Sequence, residues 1–477
     1  MAPDPHTASR SRIGLVVWIV LLVSIGLRSA NTIGKGGGDF RGYVEVGELV
    51  LEGKDPYATL EIGTNTWPPL FSVLAVPLAL GARAAPTVNM AVWVVLMAAC
   101  VYGCLYFAIL LVYRRPLTLG SRPGAISVTS AAALVPALLT WRYVLQNFRW
   151  LQINPLILLL ALAGCYMIVR YRQRLGGGLV GASSAIKVMP VLFVPYFALK
   201  RWWPATLGAL ISGALLSVAP ALVFGPAGLL AYTRTWVERT ASIPIPVAWG
   251  SHSLLAMVDR FVGHRVLANL EPLSSDVELS ASGDSLVTLI ALGLVVGLVV
   301  VFVAAARRSG RDPASPGATI EFATLLVMIP LLSPTKSWTY YFIYTLLAHV
   351  VLWRAVSPQS ASVEGENGLT KKERGTLRWL LAVSVVLGLL ESASVVGSYL
   401  ARRTQMLSLL TFSALTLVAA LAYLHWLLTR RGGRAPESQV HPTHTALPTS
   451  PSRRPGPGSD PDAALPSAAL PRPGRPR

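Results

Sequence analysis

VNMAVWVVLMAACVYGCLYFAILLVYRR, residues 88–115, runs from Val88 to Tyr113 without a charged side chain and then ends on two arginines. A helix crosses the hydrocarbon of a bilayer with about 20 apolar residues, so this stretch predicts a span closed by a cationic anchor. Similar runs fall near 13–30, 69–83, 125–145, 154–169, 176–199, 205–224, 285–306, 319–333, 338–356, 377–397 and 405–428. The 477-residue chain is 53% hydrophobic and 13% charged, with a mean hydropathy of +0.55, and a water-soluble domain cannot hide that much apolar surface. Helices in series cannot close a barrel, so the fold class is an all-α polytopic integral membrane protein with about 10–13 transmembrane helices. The first run is followed by further spans and lacks a small-residue cleavage site, which predicts a retained helix rather than a signal peptide.

The formal net charge of +19 would suggest a nucleic-acid partner in a soluble protein. Here the cations stand between apolar runs, at Arg114-Arg115, Arg170 to Arg174, Lys200-Arg201, Arg307 to Arg311 and Lys371 to Arg374. Such clusters set orientation and hold anionic lipid headgroups, so membrane lipids are the expected partners and nucleic acid is not. Arg10 and Arg12 favour a cytoplasmic N-terminus, residues 1–12, and send loop 31–68 outward, with Lys35, Arg41 and Lys54 counting the other way. Cys100, Cys104 and Cys165 all lie inside apolar runs, which reads as small core residues, with no disulfide framework and no metal spacing. No phosphate-binding Gly-Lys loop and no H-E-x-x-H motif is present, so a soluble nucleotide donor is not expected.

Within the membrane-embedded stretch 13–428, two long outer loops, 31–68 and 225–284, hold most polar and aromatic residues of interest, while 357–376 reads as a solvated linker. From 429 to 477 Pro, Ser, Arg, Gly and Ala dominate, a composition with no apolar face to bury, which predicts a disordered cytoplasmic tail. In FRGYVEVGELVLEG, Phe40, Tyr43, Val44, Val46, Leu49, Val50 and Leu51 alternate with Glu45, Glu48 and Glu52 at helical spacing. That is an amphipathic helix expected to lie on the membrane surface. GKDPY follows as a turn, with Gly53 ending the helix, and Pro68-Pro69 opens the next run.

Asp39 stands between a glycine run and that helix. It fits either an N-cap or a proton acceptor, and the two are compatible. Lys187, in SSAIKVMP, is mid-run, where a charge costs several kcal/mol without a partner. Pro190 and the start GGGLVGASS predict two short helices with Lys187 brought to the far surface by the break, where it could bind a phosphate. The G-x-G-x-x-G match at Gly176, Gly178 and Gly181 follows no strand, so close helix packing is the better account. In WLQINPL, Asn154 before Pro155 fits an N-cap and leaves Gln152 unexplained. Arg142, Gln146, Asn147 and Arg149 form a cationic rim with Trp141, Tyr143 and Trp150, suited to interfacial anchoring or to ligand binding. His252 lies between two serines, and LLSPTKSWTYY puts Lys336, Trp338, Tyr340 and Tyr341 at a proline-broken junction.

Taken in order, these motifs resemble glycosyltransferase family 87, the polyprenol-phosphate-dependent mannosyltransferase-like proteins of the C-type glycosyltransferase superfamily. The likeness rests on Asp39 with Phe40 and Tyr43, Gly53-Lys54-Asp55-Pro56-Tyr57, Trp67-Pro68-Pro69, Gln152-Ile153-Asn154, Ala185-Ile186-Lys187-Val188-Met189-Pro190, Ser251-His252-Ser253-Leu254, and Ser333-Pro334 with Trp338. It runs from about residue 13 to 428. His252 replaces the family's usual Gln, and Thr339 and Tyr340 stand where an acid and a histidine are usual, which bears on sugar and acceptor specificity. The resemblance implies a C-type glycosyltransferase-like helical bundle and a hexosyltransferase of the bacterial plasma membrane with its site facing outward. It also implies a polyprenyl-phosphate sugar as donor, mannose first, a lipid or glycan acceptor hydroxyl, inversion with Asp39 as general base, and no cofactor or metal. Lys187, Gln152, Asn154, Arg142, Arg149, His252, Tyr57, Trp67, Trp338 and Tyr340 carry over as donor-phosphate or substrate-binding candidates. The competing class is a transporter or lipid flippase, for which Glu391 inside an apolar run and a buried lysine would form an ion path, though no repeated half-chain pattern is seen.

Overall fold

The computed structural model describes residues 5–59, 65–120, 122–242, 251–264, 285–333, 337–357 and 368–432. The chain is an all-α membrane protein. α1 (Pro5–Gly34) is a long apolar helix; α2 (Asp39–Leu51) is the amphipathic helix, burying Phe40, Gly42, Tyr43, Val46 and Gly47. α3 (Pro69–Leu74) starts on the second proline of Pro68-Pro69, and α4 (Val76–Ala84) and α5 (Pro86–Tyr113) follow, each opening with a proline in its first turn. A proline there costs nothing, because the first N–H groups of a helix have no internal partner. Leu117–Thr118 and Ile126–Ser127 pair as a minimal parallel bridge before α6 (Ala131–Trp150) and α7 (Asn154–Val169).

α8 (Gln173–Ile186) ends where the chain turns extended at Lys187, and a 3₁₀ turn, Met189–Leu192, leads into α9 (Phe193–Leu199). The run 176–199 is therefore two short helices, as Pro190 predicts. Lys187, however, does not emerge at a surface: it is buried, and its ammonium is taken by partners described below. α10 (Trp203–Val218) meets α11 (Ala221–Ser242) at a 91° bend, and Gly225, at φ +69°, breaks the helical path inside α11. Residues 225–242, read from sequence as loop, are thus largely helical. The short α12 (Leu254–Val258) has Ser253 as its N-cap, its side chain accepting from the Ala256 N–H. α13 (Ser285–Arg308), α14 (Pro316–Leu332), the 3₁₀ turn Thr339–Thr345 and α15 (Leu346–Val356) follow. α16 (Lys371–Leu390) opens with a capping box between Thr370 and Glu373, so 371–376 are helix rather than linker. α17 (Ala393–Met406) is bent 78° from α16, and α18 (Leu409–Gly432) carries helix past residue 429; the tail from 433 lies outside the described residues.

By length and apolarity four helices among the described residues are long and apolar enough to cross a bilayer alone: Arg12–Gly34 of α1, α5, α13 and Leu409–Arg431 of α18. The bent pairs α10–α11 and α16–α17 raise this to six. The other apolar runs form shorter helices, such as α7 and α14, and the 3₁₀ turn at Pro190 divides the run 176–199. Apolar side chains stay exposed along α1, α10 and α13, for example Leu22, Leu210 and Leu292, the faces a lipid would cover.

α8 packs flush against α10 through glycine. A Cβ added at Gly177 would sit 1.9 Å from the Ala205 carbonyl oxygen, and one at Gly181 2.2 Å from that of Ala209. Gly177→Ala should therefore lower stability by about 1–3 kcal/mol. Gly178→Ala is the control, since its Cβ meets only Ser212 at 3.9 Å. Thermal unfolding in detergent separates the two variants, and equal melting would sink the packing account.

At the basic end of the bundle, Glu321 of α14 accepts hydrogen bonds from Tyr196 (2.7 Å), His425 of α18 (2.9 Å) and the Ser309 hydroxyl, and pairs with Lys200 at 3.0 Å. The Lys200 ammonium also donates to the carbonyls of Ala306 and Gly310 at the C-terminus of α13, at 3.0 and 2.9 Å. Four helices, α9, α13, α14 and α18, meet at one buried ion pair.

Candidate functional site

The site forms at the opposite end of α5. α1 runs into Gly36, Gly37 and Gly38, all at positive φ (93°, 91° and 54°), a path open chiefly to glycine. The turn is pressed inward: a Cβ on Gly37 would lie 2.8 Å from the Met90 sulfur, and one on Gly38 would lie 3.3 Å from the Trp150 backbone. α2 is held below by Gly47 against Ala75 and by the Glu48–Arg83 ion pair. The sequence thus drives the first residue of α2, Asp39, against the end of α6.

Asp39 is not an N-cap. Gly38 occupies that position, without a side-chain bond, and the Asp39 carboxylate instead accepts from the Gln152 side-chain amide. Gln152 follows Leu151, whose left-handed conformation ends α6, and its other amide atom accepts from the Tyr43 hydroxyl at 3.4 Å. Gln152, unexplained by capping, is accounted for here. Asn154 is no cap either: Ile153 takes that place, and the Asn154 side chain spans two partners. It accepts from the Lys187 ammonium at 2.8 Å and donates to Asn147 at 3.0 Å. Asn147 in turn donates to the Tyr340 carbonyl at 2.9 Å. The Lys187 ammonium lies 4.7 Å from the centre of the Tyr341 ring, a cation–π contact.

Asp39 and Lys187 feel each other's charge without forming an ion pair, each being held by its own amide partner. Burial pushes the Asp39 carboxyl up to about 6, against the opposing pull of Lys187 and the Gln152 hydrogen bond. A half-buried acid that ionises near neutrality, beside a buried cation, suits proton abstraction next to a developing negative charge. Among the described residues no three His, Cys, Asp or Glu side chains come together to hold a metal ion.

A family model for glycosyltransferase family 87 matches residues 65–334, more than half of the chain. The chain belongs to glycosyltransferase family 87. No curated protein and no solved structure matches it. The matched stretch carries Gln152, Asn154, Lys187 and His252, while Asp39, Trp338 and Tyr340 lie outside it.

The remaining candidates in this family 87 protein occupy supporting positions. The Tyr57 hydroxyl donates to the Trp67 carbonyl at 3.0 Å, and the Tyr57 carbonyl accepts from Arg239 of α11. Trp67 sets its ring edge-on to Tyr43, 4.9 Å between centres, so it braces the residue that braces Gln152. Trp338 stacks on Tyr340 at 6.4 Å. Arg149 is exposed and lies over Trp150. Arg142 sits over Tyr143 and acts electrostatically on His252 and Glu391. His252 is buried; burial, then the charges of Arg260 and Arg142, push its imidazole well below the usual range, so it is neutral near pH 7. Lys336 and Pro334 lie outside the described residues. Asn147, Tyr43 and Tyr341 are the residues that reading for function passed over as rim, helix face and belt. The one signal available was Asn147, a second amide beside Gln146 near the end of α6.

Glu391, the candidate for an ion path, caps the C-terminus of α16 at the bend before α17, and one of its oxygens accepts from the Leu410 N–H at 2.6 Å.

Proposed function

We propose that this membrane glycosyltransferase moves a hexose, mannose first, from a polyprenyl-phosphate donor to a lipid or glycan hydroxyl at the outer face of the plasma membrane. Asp39 takes the acceptor's proton as its oxygen attacks the anomeric carbon. The bond from that carbon to the phosphate oxygen breaks, polyprenyl phosphate leaves, and the configuration inverts. Lys187, braced by Asn154 and Tyr341, balances the negative charge that grows on the leaving phosphate. The observation that carries the reading is the pairing of Asp39, raised toward neutrality, with a buried and oriented Lys187.

Charge distribution supports the outward placement. Arg114 donates to the Ala314 carbonyl, Trp202 to that of Arg311, and Lys200 to that of Gly310, so basic loops converge at the end of α5 away from Asp39. Such an end favours the cytoplasm.

The test is a purified assay with polyprenyl-phosphate mannose and a lipid acceptor extract, scoring sugar transfer and release of polyprenyl phosphate. Both products are expected in equal amounts, and to persist in EDTA. Transfer from an arabinofuranose donor alone overturns the choice of sugar, and a strict need for a divalent ion overturns the metal-free scheme.

The pH profile gives a second check. A protonated Asp39 accepts no proton, so transfer should rise with pH through about 6, and because burial lowers the Lys187 ammonium to about 7, it should fall again as Lys187 loses its charge above that. Lys187 holds the Asp39 pKa down, so Lys187→Met should move the rising limb to higher pH. A limb that stays in place would separate Asp39 from the rate-limiting proton.

A further inference from the structure

We propose that Glu391 is a positioning residue for this site. Through His252 it holds Thr339, and with it the 3₁₀ turn that carries Tyr340 and Tyr341 to Asn147 and Lys187. The inference rests on the reading of Asp39 and Lys187 as the reaction site.

Glu391 uses its two oxygens differently. One accepts from the Leu410 N–H and pins the N-terminus of α18. The other faces Nδ1 of His252 at 3.5 Å, with both side chains almost fully buried. Neither of these two atoms has another hydrogen-bond partner among the described residues. A buried polar atom left alone costs free energy, so two such atoms facing each other at this distance are each other's natural partner after a small side-chain rotation. An ionised Glu391 accepts from a protonated Nδ1 and leaves Nε2 to accept from the Thr339 hydroxyl, whereas a protonated Glu391 donates to Nδ1 and leaves Nε2–H to donate to Thr339; the 3.1 Å bond to Thr339 is kept in both.

His252 is otherwise clamped along its backbone. Its N–H donates to the Ser337 carbonyl at 2.8 Å, and its carbonyl accepts from the Thr411 hydroxyl of α18 at 3.0 Å. The Ser337 N–H donates to the Ser251 hydroxyl at 3.3 Å, and Phe342 sets its ring edge-on to the imidazole. Residues 251–253 and 337–339 thus form one unit, and Thr339 is the point where its side-chain bonding reaches the turn. From there the path is short: the Tyr340 carbonyl receives Asn147, and the Tyr341 ring faces the Lys187 ammonium. Arg260 and Arg142 are the charged groups acting on the pair, and Arg260 ties the same unit to α18 through the Ser251 carbonyl and the Ser408 hydroxyl, each at 2.9 Å.

The experiment is amide hydrogen exchange on the full chain in detergent, comparing wild type, Glu391→Ala, Thr339→Val and the double variant. Peptides covering residues 337–345 should exchange about tenfold faster in each single variant, the equivalent of one lost hydrogen bond. The double variant should add nothing, because both changes cut the same path. Thr339→Val leaves the α18 contact intact, so it carries the test if Glu391→Ala fails to fold. Unchanged exchange in 337–345, or equal acceleration throughout α5, overturns the proposal.

In an assay where the wild type transfers sugar, both variants should lower kcat/KM for the donor about tenfold, because Tyr341 bears on Lys187, which balances the charge that grows on the leaving phosphate. Unchanged kcat/KM overturns that assignment. Exchange is read without any donor, so faster exchange in a chain that transfers no sugar would count against the proposed reaction and not against the relay.

Discussion

Asp39→Asn is expected to lower sugar transfer by about 10²–10⁴-fold, the usual contribution of a positioned general base. The substitution keeps the shape and one oxygen able to accept from Gln152, so the geometry at the start of α2 is retained. It also removes a charge whose burial already pushes the carboxyl up to about 6, so the fold should be at least as stable as the wild type. The loss should lie in kcat, with donor affinity little changed, since Lys187 still stands on Asn154 and Tyr341. Steady-state transfer by protein that elutes and melts like the wild type decides the matter. Full activity in that variant would remove Asp39 from the chemistry.

The second large effect concerns stability. Glu321→Ala should destabilise the bundle by about 3–5 kcal/mol, because Lys200, 2% exposed, is left as a buried cation without its counter-charge. Tyr196 and His425 lose an acceptor at the same time. The double replacement Lys200→Met with Glu321→Met should recover much of that loss, since an apolar pair of similar volume avoids the desolvation cost that the ion pair has to offset. Thermal unfolding in detergent measures both. A Glu321→Ala variant that melts with the wild type would show that water reaches the site and screens Lys200. The cluster is remote from Asp39, so the double variant should transfer sugar normally once folded.

Much of the fold follows from local pattern. The uncharged run before Arg114, the amphipathic face of 40–51, the turn at Gly53, the second proline as a helix start and the division of 176–199 near Lys187 and Pro190 all agree between sequence and structure. Each is a short-range property: transfer free energy, helical period, or a backbone that proline or glycine alone allows. Gly176 and Gly181 were also legible as a packing face, while a Cβ on Gly178 of the same stretch would meet only Ser212 at 3.9 Å.

The site was legible only as a set of suspects. Asp39 and Asn154 both look like caps in sequence, and neither caps its helix, because each side chain has a stronger partner from a distant segment. Gln152 lies 113 residues from Asp39, and Asn154 lies 33 residues from Lys187. Tyr341 and Asn147 join the site for the same reason, and the bend after α16 puts Glu391 on α18 and His252. Membrane class, helix faces and breakpoints belong to the chain alone, since they depend on neighbours within a few residues. The partners of each buried charge are a tertiary matter. A carboxylate or ammonium taken from water settles on whichever donor or acceptor the packed helices bring within about 3 Å, and no local spacing encodes that choice.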